Sequence, residues 1–510
     1  MLIGYGGITV FTIVVLVAMS RTGRKKTSLS EYATGGRSFS PWFGTMTFLN
    51  TWLAGSVFVA FAGFTVTQGV LGFYSLSYSV LAVVLMFFLG RPVNTWGRVH
   101  DLKTQADLLG LRYGSTSVRV IAAVIGVLAS IPWVVLGMQS LGVVFAALSF
   151  GAVTPVAATV IGILFIAARQ AWTVRYGTRG LIISDMVQGV FAYGIGFLMA
   201  IGFLVWLLSN GHGFGAVNPA LLSLPPLDSP VGPLYLFSLV LTGLLGAWSW
   251  PDLFVRLFSV ESPRGVQKSA VQAAPLLFLF SGALTTVTLL ATTVPGVTEA
   301  PDTTWFILAG LGGVGLVTAA GICVVAATMG NVGANLQAIG TQLANDVVRP
   351  GRAAGAGSAE GAKIAVAAVT VVSAIAALAT ANVTSGLFIL ALISYQAICQ
   401  LAPMLLLGIF WRRGTALAAN ASMITGILVA VYFEVNYPLS VPWLGGLTSG
   451  GVGLVVNLMV YLAISLLKPA PTAERERVNR LFDSLKEGSA VAPGTAAPQP
   501  PAAVVDSAAL

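Results

Sequence analysis

Apolar residues fall in long runs separated by short segments that carry nearly all of the charge. An α-helix needs about 20 apolar residues to cross the hydrocarbon of a bilayer. Runs of that order lie near 1–19, 42–66, 70–94, 118–148, 152–172, 181–208, 233–259, 270–294, 305–328, 363–383, 386–410, 415–433 and 447–467. The run after 305 continues as an amphipathic helix to about 346. The run at 118–148 contains Pro132 and is long enough to tilt or kink. The pattern predicts an all-α polytopic membrane protein with about thirteen transmembrane helices.

The basic residues orient these helices. Thirteen crossings with the N-terminus outside put the C-terminus in the cytoplasm. The inside loops then hold Arg21 to Lys26 with Arg37, Arg98 to Arg119, Arg169 to Arg179, Arg264 with Lys268, Arg349 to Lys363, and Arg412 with Arg413. Lys468 to Lys486 follow in the tail. The outside loops near 209–232, 295–304 and 434–446 hold no Lys or Arg. This is the positive-inside arrangement of a multi-pass protein of the cell (inner) membrane. The first apolar run precedes its basic residues, the reverse of a secretory signal, so it reads as a retained helix.

Composition agrees. Charged residues are 8% of the chain, too few for the polar skin of a soluble globule, and hydrophobic residues are 56%. The net charge of +9 lies in short loops between apolar runs, which argues against nucleic acid. Cys323 and Cys399 sit inside apolar runs without metal-ligand spacing. His100 and His212 fall in loops, and no HExxH, GxSxG or Walker pattern occurs, so neither an enzyme nor a nucleotide-driven pump is expected. No organic cofactor is expected.

Two runs look broken. One reads Leu49-Asn50-Thr51-Trp52-Leu53-Ala54-Gly55-Ser56, the other Gly243-Leu244-Leu245-Gly246-Ala247-Trp248-Ser249-Trp250-Pro251-Asp252. Proline removes a backbone donor, and small residues let the chain unwind, exposing carbonyls and helix ends that can bind an ion or a polar solute. The breaks open two five-helix blocks, about 42–208 and 233–410. Five is odd, so the second block starts from the opposite face: an inverted repeat suited to alternating access. The chain then divides into residues 1–30 (first helix and basic loop), 31–415 (core), 416–468 (two further helices) and 469–510. The last is an Ala/Pro-rich tail expected to be disordered apart from a short surface helix over Glu474 to Lys486.

Intramembrane polar groups are costly and therefore candidate sites. They are Asp185, the pair Asp252 and Arg256 four residues apart, and a stripe of Asn331, Asn335, Gln337 and Thr341, with Ala327, Gly330 and Asn331 on one helix face. For Asp252 and Arg256 the spacing also fits a local ion pair.

These segments resemble the sodium:solute symporter family, over roughly residues 30–415. Glu31-Tyr32 and Gly35-Gly36-Arg37-Ser38 are similar to the approach to its first core helix, and Thr51-Trp52 with Gly55 to its broken stretch. Ala106-Asp107-Leu108-Leu109, Arg112-Tyr113-Gly114, Gly180 to Gln188, Pro251 with Arg256-Leu257-Phe258, and Gly408 to Arg413 resemble later motifs in the family's order. The resemblance implies a LeuT-like fold and inward symport of a solute with sodium. It places backbone cation ligands near Asn50 and Leu53, and others at Ala327, Gly330 and Asn331. Where the family usually has two adjacent hydroxyl residues, this chain has Gly330-Asn331. Asp185 is then the proton-titratable alternative. A small organic solute, a monocarboxylate or a neutral molecule, is expected near Trp52, Ser56, Trp248 and Trp250, with Gln396 nearby. An uncoupled facilitator or exchanger, or a transporter-like sensor, would use the same fold.

Overall fold

The computed structural model describes residues 1–21, 28–229, 232–348, 359–381 and 387–487. Among these residues the backbone is helical apart from turns and two isolated bridges, Phe39 with Val260 and Val441 with Leu447. Ten helices are long and apolar enough to cross a membrane. The number is eleven if the bent pair Pro233–Ser249 and Pro251–Ser259 is one crossing. By that measure the thirteen expected from the sequence are not reached. Two of the ten are oversized: Gly55–Val99 has 45 residues and Pro155–Ser209 has 55. At 1.5 Å per residue these are about 68 and 82 Å, against a hydrocarbon core of about 30 Å. Each contains a glycine at positive φ, Gly69 (58°) and Gly177 (61°). There a Cβ would overlap the Leu221 carbonyl and the Tyr32 ring, respectively.

Both expected breaks are present. Pro41–Trp52 stops at Leu53 (φ −87°, ψ 82°), a 3-10 turn covers Gly55–Phe58, and the helix resumes at Ala60–Gln68. In the second, Pro233–Gly246 passes through the turn Ala247–Ser249 to extended Trp250 (φ −71°, ψ 126°), and Pro251–Ser259 leaves at a bend of 51°. Pro251 accounts for this. It has no N–H to give back to the preceding turn, and its ring holds Trp250 out of the α region. The long helix Val314–Gln342 packs against the inner half of the first break, its turn, and Pro251–Ser259. The C-terminal two-thirds of this helix does not face lipid, because Cys323 through Gln342 are buried without interruption.

One expectation changes. The sequence puts Arg169 in a basic loop; it lies instead inside helix Pro155–Gly189 and is fully buried. The short helix expected in the tail over Glu474 to Lys486 is present as Thr472–Glu487. The Trp96 indole donates to the Leu481 carbonyl (2.9 Å), and Arg477 donates to the carbonyls of Leu111 (2.7 Å) and Arg112 (2.8 Å). Residues 488–510, with the expectation of disorder there, and most of the basic loop over 349–358 lie outside the described residues.

Candidate functional site

Polar side chains from five helices meet beside the first break. Asn50, at the end of Pro41–Trp52, donates to Asp185 Oδ1 (2.9 Å) and Gln188 Oε1 (3.0 Å). Thr47, one turn earlier, donates to Asp185 Oδ2 (2.6 Å). The Tyr193 hydroxyl donates to the Leu53 carbonyl (2.7 Å) and lies 3.2 Å from Asn50 Oδ1. Asp185 is fully buried, and Arg169 and Arg256 stand within coulombic reach of it. Arg169 donates to Thr173 (2.9 Å) and Ser184 (3.1 Å). Arg256 donates to the Thr51 hydroxyl (3.3 Å) rather than closing on Asp252, whose Oδ2 faces the Asn335 amide at 3.4 Å.

A hard cation is held by several oxygens converging on one point. Several of the oxygens proposed from the sequence, and the neighbouring Thr51 carbonyl, already face a proton of the protein. The Thr51 carbonyl accepts from the Asn331 amide (2.5 Å), the Leu53 carbonyl from Tyr193, and both Asp185 oxygens from Thr47 and Asn50. The side-chain oxygen of Asn331 accepts from the Trp133 indole (3.0 Å). Gly330 presses on Asn50: a methyl at Gly330 would overlap its amide nitrogen. Ala327 is fully buried on the same helix face.

A cavity of about 30 Å³ reaches the break from the end of the bundle away from the basic loops. Its floor is Trp52, Leu53, Phe61, Tyr78 and Trp133, its upper wall Thr65, Ser75, Ser281, Thr285 and Thr288, and no charged side chain lines it. A second cavity of about 10 Å³ approaches from the basic end, lined by Lys103, Thr178, Pro251, Arg256, Gln337 and Gln342. Between them Trp133, Trp250 and Tyr395 form a cluster of tilted and edge-on rings at centroid separations of 5.4 to 5.6 Å.

A sodium:solute symporter family model matches residues 32–426. The chain belongs to the sodium:solute symporter family. It is 28% identical to the uncharacterized symporter YhjB of Bacillus subtilis over 269 residues, 51% of this chain and 54% of YhjB, so the match spans about half of that relative. It is 24% identical to a monocarboxylic acid transporter of Corynebacterium glutamicum over 459 residues, 83% of this chain and 81% of that protein. A solved Na⁺-coupled sialic acid symporter in a substrate-bound outward-open state superposes with a TM-score of 0.74. The superposition covers 92% of this chain and 99% of that one, at 15% identity. Mhp1, a nucleobase-cation-symport-1 family transporter, gives 0.54 over 90% and 99%, at 16% identity. At such identities the likeness is one of fold, which is LeuT-like.

Within this symporter fold the five residues proposed for the solute separate. Trp52 lines the larger cavity, with its indole on Ser79 (2.8 Å). Trp248 lies behind it, stacked on Phe48 and donating to the Ala82 carbonyl (2.9 Å). Trp250 is in the ring cluster between the two cavities. Ser56 is buried in the 3-10 turn with its hydroxyl unpartnered. Gln396 faces the other way, accepting from the Gly450 N–H (2.8 Å), while its neighbour Tyr395 points inward to the Tyr78 hydroxyl (2.8 Å). Residues missed from the sequence are Thr47, Trp133, Arg169, Tyr193 and Tyr395. Its place just inside the end of the apolar run 152–172 is the available signal for Arg169. The others are ordinary residues whose role depends on which way their helix faces.

Proposed function

We propose that the chain is a secondary transporter that moves a small monocarboxylate across the cell membrane in symport with a cation. The carrying observation is the pair of cavities that approach the two broken helices from opposite ends, divided by the Trp133–Trp250–Tyr395 ring cluster. Opening one while closing the other is alternating access. The larger cavity offers aromatic faces to a short apolar body and hydroxyls of Tyr78, Ser79, Ser281 and Thr285 to a polar head. The monocarboxylic acid transporter of Corynebacterium glutamicum supports that class of solute.

The reading includes thirteen crossings, with the two oversized helices each turning back at Gly69 or Gly177, the N-terminus outside, and the basic end in the cytoplasm. The test is uptake of labelled acetate or pyruvate into proteoliposomes, with sodium and proton gradients imposed separately. Uptake driven by either gradient supports symport and names the ion. Exchange without response to either gradient replaces it with a facilitator. No saturable uptake of any monocarboxylate overturns the solute class.

A further inference from the structure

Deepening that reading, we propose that Arg169 is a tethered cation: its guanidinium holds the place a monovalent ion would take near Asp185, and this aspartate is therefore not a ligand of the coupling ion. Arg169 belongs to the helix arm before Gly177 and Asp185 to the arm after it, and the interruption at Gly177 lets Arg169 reach Ser184, the chain neighbour of Asp185. The guanidinium is completely buried and lies among oxygens, Thr173 Oγ1 at 2.9 Å and Ser184 Oγ at 3.1 Å. Its Nε has no partner, so hydrogen bonding alone does not explain its burial. Taking an arginine out of water costs several kcal/mol unless opposite charge is nearby, and Asp185 is that charge.

The neighbouring helix is shaped for this side chain. A methyl on Gly333 would overlap Arg169 Nη1. Two further protein groups act in the same sense at the break. The Asn331 amide gives its N–H to the Thr51 carbonyl, and the Tyr193 hydroxyl gives its O–H to Leu53. Where the family resemblance puts sodium against oxygen, this chain supplies its own positive or proton-bearing groups. The space near Asp185 is a cation site closed from within.

The inference is tested on the purified full chain, without any transported solute. Unfolding temperature is followed in sodium chloride and in choline chloride at equal ionic strength. Any sodium response of wild type is expected to persist in Asp185→Asn. Arg169→Ala is expected to unfold earlier, and sodium, or guanidinium at sub-denaturing concentration, is expected to restore part of the loss saturably. Adding Asp185→Asn to Arg169→Ala should abolish that rescue.

Saturable stabilisation of wild type by sodium, lost in Asp185→Asn, would overturn the proposal. So would an Arg169→Ala protein indifferent to both cations. If Arg169→Ala does not fold, wild type against Asp185→Asn decides alone: the same sodium response in both supports the tether, and a response lost with the carboxylate refutes it. Failure of acetate or pyruvate uptake would leave these results standing, because they measure cation binding and not transport.

Discussion

The Trp133 indole N–H points at the side-chain oxygen of Asn331, 3.0 Å away, and this fixes which way the Asn331 amide turns. Indole nitrogen only donates, so the oxygen faces Trp133 and the NH₂ group faces the Thr51 carbonyl. Replacing Asn331 by Asp keeps the acceptor for Trp133 but sets a carboxylate against a carbonyl with no proton between them. We predict that Asn331→Asp makes stability depend on added cation, with sodium raising its unfolding temperature more than that of wild type. A variant with wild-type stability and the wild-type sodium response would contradict the assignment.

Gly330 and Gly333 make room for Asn50 and Arg169. Overpacking a dense interior costs about 1–3 kcal/mol. Gly330→Ala and Gly333→Ala should each lower the unfolding temperature in detergent. Gly310→Ala, where no atom lies within 4 Å of the new methyl, should not.

Two of the three tryptophans named from the sequence should behave differently. Trp248 is fully buried and bonded to the Ala82 carbonyl, away from the cavity lining, so Trp248→Ala should cost about 3–5 kcal/mol of stability. Trp52 forms the cavity floor, so Trp52→Phe should mainly raise the KM for uptake, several-fold, at nearly unchanged stability. Equal KM values for wild type and Trp52→Phe would remove Trp52 from the solute site.

Asp302, in the turn Pro301–Thr303, has its carboxylate in the slot left by Gly63. Burial raises its pKa to about 6 from the ordinary 3.8, offset in part by a hydrogen bond from the Leu387 backbone. A raised carboxyl pKa means the folded state favours the proton. This contribution to stability is complete below 3.8 and is lost as pH rises through about 6. Wild type should therefore lose stability between those values relative to Asp302→Asn, which stays neutral throughout. Parallel unfolding curves for the two across that window would refute it.

What the sequence made legible was whatever depends on a residue and its near neighbours. Lipid solvation selects long apolar runs, so the helices stand out. Pro251 dictates its break through covalent geometry, and Gly55 marks the other. What could not be read depends on rotation about a helix axis or on partners far along the chain. Gln396 and Tyr395 are adjacent, and a turn of about 100° per residue decides which one faces the cavity. Arg169 looks like the first residue of a basic loop because its burial rests on Gly333, a glycine in another helix. The length measure counts Gly55–Val99 and Pro155–Ser209 as one helix each, although Gly69 and Gly177 interrupt their backbones.

The C-terminal helix Thr472–Glu487 touches the ends of several core segments at once. Its Leu481 carbonyl and Phe482 ring hold Trp96 at the end of Tyr74–Val99, and Arg477 grips the carbonyls that close Gln105–Tyr113. Its Asn479 takes Arg412 just beyond helix Ala402–Phe410 (2.9 Å). A rearrangement that separated these segments would have to peel the strap away. Protease nicking at the strap, slow at rest and faster during turnover, would then serve as a clock for the working protein.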